Sequence, residues 1–589
     1  MLDLVKFAVL GVGAGALYAL AAVGLVVIYR SSGVINFAHG AMGMFCTYVY
    51  WSLWQQHHLP FPLALLLALT LAAALGLGTY YGVMRPLQSS SALSKIVATL
   101  GILLLLQGIA ATVFPTTDTI VLPSLLPTRS LTAGGITIGS DRAILLVAGL
   151  VVTGLLWSLY RRTRFGVVTS AVAESERNAS ALGYSANLIS GCNWAIGGVL
   201  AALAGIFLSP ITGLDVEQLT LLVIPSLAVA MVGGLTSIPL TLVGGLLVGI
   251  LESELGRFSS TPGLAESVPF ILILIILLVR GTALPVRGIR AVRLPRVGTG
   301  RIRPVSLVIA LVFAVVLVVR VFNADWQDAT VTTAGWGLIL LSMVVVTGYA
   351  GQISLVQVGL AGVGALLAAH LSHSFGLPFL IILVIVVPIA FVLGLVIGLP
   401  ALRTRGINLA ITTLALAVAV DQFVFQNPNY TGHFSGVDVH APNLFGLDLD
   451  PILYPDRYAL FSLAVFVIVA LVVANVRRGS TGRRLLAVRS NERAAASLGI
   501  SVRGAKLYAF ALSSVVAAVG GVILAFVNPT VVFDTYDPMA SINVVVYAIL
   551  GGIGYLIGPL IGTLFVGGAF GTLALNFWGD KVVTIFNIF

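Results

Sequence analysis

Long apolar stretches follow one another almost from end to end of the 589-residue sequence. An α-helix needs about 20 apolar residues to cross the hydrocarbon core of a bilayer, and the stretches are of this length. Only 9% of the residues are charged and 59% are hydrophobic, a balance that the surface of a soluble fold does not tolerate. The stretches do not alternate in polarity as the strands of a membrane barrel do. The sequence therefore predicts an all-α polytopic membrane protein.

We predict membrane segments throughout both halves of the chain. The predicted segments are 7–29, 36–54, 60–83, 93–114, 143–160, 187–210, 219–233, 240–254, 267–280, 305–322, 330–349, 354–372, 378–400, 407–425, 458–475, 505–527, 541–551 and 556–578. Several are too short or too rich in glycine to be simple crossings. We therefore expect roughly 16–18 membrane segments in total.

A basic segment occurs twice in the chain. Residues 161–185 align without a gap to residues 477–501, at an offset of 316, and 11 of the 25 aligned residues are identical. We call these the first and second repeated segments. The candidate functional residues within them are Glu176, Arg177 and Gly183 in the first, and Glu492, Arg493 and Gly499 in the second. The repeat predicts two homologous halves in tandem.

Most Lys and Arg residues outside the apolar stretches lie in short loops and in the join between the halves, which places these loops on the cytoplasmic side. The long polar loops 115–142 and 426–457 then fall on the external side at equivalent places of the two halves. A second half in the same orientation as the first requires one extra crossing. The predicted domains are a first transmembrane domain at 1–280, a basic cytoplasmic linker at 281–304, a connecting helix at 305–322 and a second transmembrane domain at 323–589.

Each repeated segment is predicted as an Arg-rich loop followed by a short helix. Residues 178–182 and 494–498 favour helix, and the glycine that follows each run is a usual C-terminal stop. A short helix that lies parallel to the membrane can transmit the movement of a cytoplasmic partner as a rigid body. The alternative is that the arginines only fix topology, but this does not explain the repeat of so many identities.

A polar turn follows the first long helix of each half. The turns begin at Gly33 and Gly351, at an offset of 318. Polar backbone inside a membrane is tolerated where protein covers it or where it lines a water-filled cavity, so the turns are candidate pore lining. The alternative is a helix N-cap, in which Asn36 or Ser354 accepts hydrogen bonds from free N–H groups. The candidate pore residues are Asn36, His39, Gln107, Ser354, Gln357 and Thr413.

Two of these candidates, Gln107 and Thr413, lie outside the turns, on later apolar segments. Hydrogen bonding between helices is the alternative to a pore role for both. Glycine-rich stretches at 232–245 and 550–562 let helix backbones approach closely, and they favour tight packing over a hinge.

The repeated segments resemble the cytoplasmic coupling loop of ABC importer permeases for branched-chain amino acids. Residues 1–290 are similar to the LivH-like subunit of that family and residues 300–589 to the LivM-like subunit, so the chain resembles a fusion of the two. The turns are similar to the family signature Gly-Gln-[Val/Ile]-[Asn/Ser]-x-x-His. Val34 replaces the Gln in the first turn, and Gln357 stands where the His would lie in the second.

The resemblance implies a multi-pass permease of the cell inner membrane. Two ATP-binding subunits would dock on the repeated segments from the cytoplasm, and a periplasmic or lipid-anchored binding protein would deliver substrate to the external loops. The chain would need no cofactor of its own, because the partner subunits bind ATP. The implied substrates are branched-chain, hydrophobic amino acids, although close relatives import urea or short amides.

Other classes of function find less support in the residues. The net charge of +10 lies beside apolar segments, so membrane lipid and not nucleic acid is the expected contact. No Gly-x4-Gly-Lys-[Ser/Thr] motif is present, no metal-ligand spacing accompanies His39, and no catalytic residues are assigned, so we do not expect an enzyme. An ion-coupled secondary transporter with parallel repeats is the second interpretation. Such a carrier usually keeps a central acid, whereas Glu252, Glu254 and Asp421 lie near segment ends.

Overall fold

The computed structural model describes most of the chain in two compact units, Met1–Arg293 and Leu294–Asn587. The described residues are 2–114, 120–123, 126–127, 129–133, 136–259, 261–280, 296–404, 406–432, 435–576 and 579. The boundary between the units falls inside the predicted linker 281–304. Residues 281–295 of that linker lie outside the described residues.

The first unit is helical except for one small hairpin. Its elements are α1 (Leu2–Ser32), α2 (His39–Trp51), α3 (Phe61–Gly78), α4 (Ala92–Val113), β1 (Ser130–Ala133), β2 (Ile136–Gly139), α5 (Ser140–Arg162), α6 (Arg164–Glu174), α7 (Glu176–Ala181), α8 (Ala186–Thr212), α9 (Val216–Leu221), α10 (Val223–Val232), α11 (Ile238–Phe258) and α12 (Val268–Arg280). The π-helical segments Ser52–Gln56 and Thr79–Met84 extend α2 and α3.

The second unit begins with one additional helix and then follows the same order. Its elements are α13 (Pro304–Val316), α14 (Ala324–Met343), α15 (Gln357–Phe375), α16 (Phe379–Arg403), α17 (Ile407–Val420), α18 (Pro428–Thr431), β3 (Val437–Asp438), β4 (Asn443–Leu444), β5 (Leu447–Asp448), α19 (Pro455–Arg478), α20 (Ser480–Ser490), α21 (Glu492–Ser497), α22 (Val502–Ala525), β6 (Thr530–Val531), α23 (Pro538–Gly551), α24 (Gly558–Gly562) and α25 (Phe570–Asn576). The π-helical segments Leu317–Val321, Val344–Tyr349 and Asp421–Phe425 extend α13, α14 and α17, and 3-10 turns cover Asp534–Tyr536 and Thr563–Phe565.

Among the described residues, 14 helices are long and apolar enough to cross a membrane. Two shorter apolar helices, Val216–Val232 and Pro538–Gly551, occupy equivalent places in the two units. These helices confirm the prediction of an all-α polytopic membrane protein. The segment predicted as an extra crossing at 305–322 forms the helix Pro304–Val321. Only 6% of the residues in its most apolar window are buried within the protein. Its side chains are therefore available to lipid.

The two long polar loops contain short antiparallel strand pairs, which the sequence did not indicate. In the first unit β1 pairs with β2, so that Ser130 lies opposite Gly139. In the second unit β4 pairs with β5, and β3 pairs with β6, a strand that follows α22. The pairing of β3 with β6 ties the loop that precedes α19 to the end of α22.

Glycines bring the first and last long helices of the first unit into backbone contact. A methyl group added at Gly15 would lie 2.6 Å from the carbonyl oxygen of Gly245, and one at Gly11 would overlap the carbonyl oxygen of Gly249. In the second unit, a methyl group at Gly520 of α22 would lie 2.7 Å from the carbonyl oxygen of Gly335 on α14. These contacts confirm the packing interpretation for Gly245 and its neighbours.

Candidate functional site

Each repeated segment folds into two consecutive helices. The predicted Arg-rich loops are wrong: Arg164–Glu174 and Ser480–Ser490 are helices of 11 residues each. The sequence favoured a loop because the stretch is basic, but its apolar positions recur at helical spacing and are buried against the unit. The short helices that follow, Glu176–Ala181 and Glu492–Ser497, begin two residues earlier than predicted.

Side-chain caps explain the early start of the short helices. Ser175 accepts a hydrogen bond from the N–H of Asn178 at 3.3 Å. Asn491 takes the same place in the second unit and accepts from the N–H of Ala494 at 3.1 Å. Each cap satisfies a free N–H group of the first helical turn. The extended cap residue separates α7 from α6 and α21 from α20.

Gly183 and Gly499 end these helices in the left-handed conformation, with φ of +85° and +77°. Residues other than glycine rarely adopt this conformation because the Cβ atom crowds the backbone. The N–H of the residue after each glycine donates to the carbonyl oxygen of Ala179 or Ala495, at 3.1 and 3.0 Å. The glycines therefore stop the helices as predicted.

Identical residues of the two repeated segments divide into a buried set and an exposed set. Ala179 and its counterpart Ala495 are 1% and 2% exposed and fix the short helices to their units. Leu182 and its counterpart Leu498 are 73% and 78% exposed. The glutamates at 176 and 492 are half-buried and the arginines at 177 and 493 are exposed. Each unit therefore carries an exposed arginine on the short helix and an exposed leucine directly after it, at equivalent positions.

Hydrogen bonds join the first repeated segment to three membrane helices. Asn193 of α8 donates to the hydroxyl of Thr169 on α6 at 3.4 Å and accepts a hydrogen bond from the hydroxyl of Tyr160 on α5. The guanidinium of Arg30, in the last turn of α1, lies 5.1 Å from the centroid of the Tyr160 ring. Arg30 also donates to the hydroxyl of Ser170 at 3.5 Å. These contacts link α6 to the end of α1, directly before the polar turn.

The second repeated segment contacts the corresponding turn in another way. Arg489 of α20 packs against the turn glycine, such that a methyl group at Gly351 would lie 2.9 Å from Arg489 Cγ. The guanidinium of Arg477 lies 5.9 Å from the Tyr349 ring centroid, at the end of the α14 extension. Burial lowers the pKa of Arg489, and the positive charge of Arg477 lowers it further. The longer helix of the repeated segment therefore packs against the end of α1 in the first unit and against the turn residue Gly351 in the second.

A buried lysine fixes α21 to the membrane helices of the second unit. Lys506 lies in the first turns of α22 with 2% of its side chain exposed, and its Nζ lies 2.8 Å from Glu492 Oε1. The same Nζ donates to the carbonyl oxygen of Ala401, near the end of α16, at 3.4 Å. The charge of a buried lysine requires such partners.

Residues 34–40 of the first polar turn are buried. Asn36 is 0% exposed, and its side-chain oxygen accepts a hydrogen bond from the N–H of Ala38 at 3.1 Å. His39 is 1% exposed, and its Nε2 lies 2.9 Å from the carbonyl oxygen of Ala21 on α1. This contact forms a turn directly before α2, whose N-cap residue Ala38 has no side-chain cap, so the structure does not show Asn36 as a helix cap. The role of Asn36 and His39 in a pore stays a prediction.

The corresponding turn of the second unit is held by side chains from three helices. Gln357 accepts from the hydroxyl of Ser342 on α14 at 2.9 Å and donates to the hydroxyl of Ser354 at 3.1 Å. Thr413 of α17 accepts a hydrogen bond from the N–H of Leu355 at 2.9 Å. The structure therefore brings the predicted residues Ser354, Gln357 and Thr413 together around one turn.

The remaining polar candidates lie elsewhere. Gln107 is half-buried on α4, apart from the residues of the turn. Glu252 and Glu254 stand in the last two turns of α11, where the hydroxyl of Tyr18 approaches Glu252 to 3.4 Å, and Asp421 begins the short π-helical extension of α17. These acids lie near helix ends, as predicted. Within the part of the chain that the structure describes, no group of three or more His, Cys, Asp or Glu residues has the geometry of a metal site.

Sequence reasoning missed two residues of these junctions. Asn193 and Lys506 fall inside the predicted segments 187–210 and 505–527 and are not among the candidate residues. A signal existed for both: each is a strongly polar side chain near the start of an apolar run, and Lys506 is one of only four lysines in the sequence. Such residues are costly to bury unless they have partners.

Two homologous sets of membrane helices, each with a repeated segment of two helices packed against it, define a membrane protein of the permease type built from two like halves. The chain matches the family described as "branched-chain amino acid transport system / permease component" over residues 7–277 and 327–580. It therefore belongs to this family of permeases.

The relatives of the chain include both kinds of subunit that the sequence resembles. It is 27% identical over 287 residues to the permease protein LivH of Escherichia coli K12, and the aligned residues make up 46% of this chain and 92% of LivH. It is 32% identical over 276 residues to LivM of the same organism, which covers 42% of this chain and 63% of LivM. The permease protein BraD of Pseudomonas aeruginosa is 29% identical over 287 residues, covering 46% of this chain and 93% of BraD.

The two matched parts and the two kinds of relative are those of a fusion of LivH-like and LivM-like permease subunits. Together with the membrane helices, they make the chain a multi-pass protein of the inner membrane. No solved structure matches the chain.

Proposed function

We propose that this chain is the whole permease of an ATP-binding-cassette importer for branched-chain amino acids. One polypeptide supplies both halves of the translocation pathway. Two separate ATPase subunits bind the repeated segments on the cytoplasmic side. A periplasmic or lipid-anchored binding protein delivers substrate to the external loops. The chain makes and breaks no covalent bond, needs no cofactor of its own, and leaves ATP to its partners.

The observation that carries the proposal is the matched pair of exposed short helices. Leu182 and Leu498 are 73% and 78% exposed although both are large and apolar. Each follows a short helix that carries an exposed arginine and is fixed to its unit by a buried alanine. Exposed apolar side chains on rigid elements are typical of protein interfaces. Two equivalent surfaces fit two copies of one kind of partner.

The packing of the repeated segments supports a mechanical role. The longer helix of the first unit contacts Arg30, three residues before the polar turn, through Ser170. That of the second unit contacts the turn residue Gly351 through Arg489. A movement of the repeated segment therefore reaches the residues that we propose as pore lining, which are Asn36, His39, Ser354, Gln357 and Thr413, with Gln107 further along. Binding of ATP would close the partners and move these segments.

The substrate class follows the family and its relatives. LivH, LivM and BraD are named as permeases of high-affinity branched-chain amino acid transport systems. We extend this substrate class to the present chain, with urea or a short amide as the alternative within the same mechanism.

The test is reconstitution. The chain is purified with the ATPase and binding protein encoded beside it, and uptake of labelled leucine, urea and a short amide into liposomes is measured. We expect leucine uptake only when ATP, ATPase and binding protein are all present. Urea or amide uptake under the same conditions would correct the substrate. Uptake by the chain alone under a proton or sodium gradient would replace the proposal with an ion-coupled carrier.

A further inference from the structure

The repeated segments are attached to the following membrane helix at different places in the two units. In the first unit the contact is neutral and lies on the longer helix, between Thr169 of α6 and Asn193 of α8. The counterparts of these residues at the offset of 316 are Leu485 and Ala509, which cannot form that hydrogen bond.

The second unit has a charged contact on its short helix. Glu492, at the start of α21, lies 2.8 Å from Lys506 of α22. The counterpart of Lys506 in the first unit is Ser190, which carries no charge. The lysine therefore gives the second unit a contact with α22 that the residue at position 190 cannot reproduce.

Lys506 also reaches a third element. Its Nζ donates to the carbonyl oxygen of Ala401, near the end of α16, at 3.4 Å, and its side chain is 2% exposed. One buried cation thus holds α21, α22 and α16 together. Because buried charge is tolerated only with its partners in place, the three elements are constrained to move as one body.

We propose that Lys506 is a positioning residue that transmits movement of α21 to α16 and α22, so that the second repeated segment moves membrane helices through an ion pair. This inference rests on the proposed function, since it assumes that an ATPase subunit moves α21. It assigns this role to a side chain that is only 2% exposed on the permease itself.

The experiment uses the complete complex in liposomes and compares Lys506→Met with the unaltered chain. We expect Lys506→Met to keep both ATPase subunits and basal ATP hydrolysis. We also expect two quantities to fall about tenfold: the stimulation of ATP hydrolysis by substrate-loaded binding protein, and the uptake. A loss of this size is typical of coupling between distant sites. Glu492→Gln should also lose the stimulation by substrate-loaded binding protein, and the exchange Lys506→Glu with Glu492→Lys should restore part of the coupling.

A matched control separates positioning from stability. Tyr458→Phe removes a hydrogen bond of 2.7 Å to the carbonyl oxygen of Ile523, at the other end of α22. It should lower thermal stability while the ratio of substrate moved to ATP hydrolysed stays unchanged. Hydrogen exchange of α21 in the purified chain should rise in Lys506→Met and not in Tyr458→Phe.

Two results would overturn the inference, and they are distinguishable. If the unaltered complex shows no ATP-dependent uptake, the proposed function fails and this inference fails with it. If the unaltered complex is active and Lys506→Met loses stability but keeps the normal ratio of uptake to ATP hydrolysis, Lys506 is only structural and the proposed function stands.

Discussion

The imidazole of His39 lies over Gly24, where a methyl group added to the glycine would come within 2.7 Å of His39 Cε1. The equivalent residues of the second unit, at the offset of 318, are Ser342 and Gln357, whose side chains are joined by a hydrogen bond of 2.9 Å. The two units thus fill the same space in two ways. One pairs a small residue with a ring, and the other pairs a hydroxyl with an amide.

This relationship predicts that Gly24→Ser destabilises the first unit and lowers uptake. The added side chain overlaps the His39 ring, and overpacking of a buried site costs about 1–3 kcal/mol. Thermal unfolding of the purified chain in detergent and uptake in liposomes measure the effect. The double variant Gly24→Ser with His39→Gln recreates the pair of the second unit and should recover most of the loss. No recovery would show that the two arrangements are not interchangeable.

Asn193→Ala should destabilise the packing of α6 against α8. It leaves the buried hydroxyls of Tyr160 and Thr169 without their amide partner, and an unsatisfied buried polar group costs about 1–3 kcal/mol. Thermal unfolding of the purified chain measures this loss.

A set of substitutions copied from the second unit provides the control for Asn193→Ala. The variant Tyr160→Val, Thr169→Leu, Asn193→Ala carries the residues found at Val476, Leu485 and Ala509. Because all the polar groups leave together, it should unfold at a higher temperature than Asn193→Ala alone. A lower unfolding temperature would mean that the junction depends on shape more than on hydrogen bonds.

Leu182→Asp and Leu498→Asp should each weaken binding of the ATPase subunit while the permease stays folded. Both leucines are largely exposed, so the folded chain loses little, whereas an interface centre typically contributes about 2 kcal/mol or more, or roughly 30-fold in affinity. Co-purification and titration with the ATPase measure the change. Phe445→Asp is the matched control, because Phe445 is 90% exposed on the loop 426–457 that we predict on the external side, and it should leave ATPase binding unchanged.

Gly499→Ala should loosen the end of α21. An alanine in the left-handed conformation costs about 1–2 kcal/mol, and no neighbouring atom lies within 4 Å of the added methyl group to complicate the result. Hydrogen exchange of residues 492–500 should rise and coupled ATP hydrolysis should fall. Gly154→Ala, within the exposed face of α5 and with equally open surroundings, should have neither effect.

Cysteines placed at Arg177 and Arg493 should both react with a membrane-impermeant maleimide only from the cytoplasmic side. Both side chains are exposed on short helices, so accessibility depends on sidedness alone. Labelling of intact cells against inverted membrane vesicles measures it. Labelling of the two positions from opposite sides would contradict the shared orientation of the two halves and, with it, the docking of two equivalent ATPase subunits.

The sequence by itself determined the membrane class, the tandem repeat, the extra helix before the second half, and the short helices that stop at Gly183 and Gly499. These features depend on composition, on spacing along the chain and on local backbone preference, all of which are written in consecutive residues. It also brought Ser354, Gln357 and Thr413 forward as candidates, although not the contacts between them.

Only the tertiary structure decided how each half holds its repeated segment. The partners of Asn193 and Lys506 lie on helices that are distant in sequence, and nothing in the local pattern selects them. The same limit explains why the basic stretches 161–175 and 477–490 seemed to be loops: their helices are stabilised by burying Val172 or Val488 against the unit, a contribution that exists only after the membrane helices have packed.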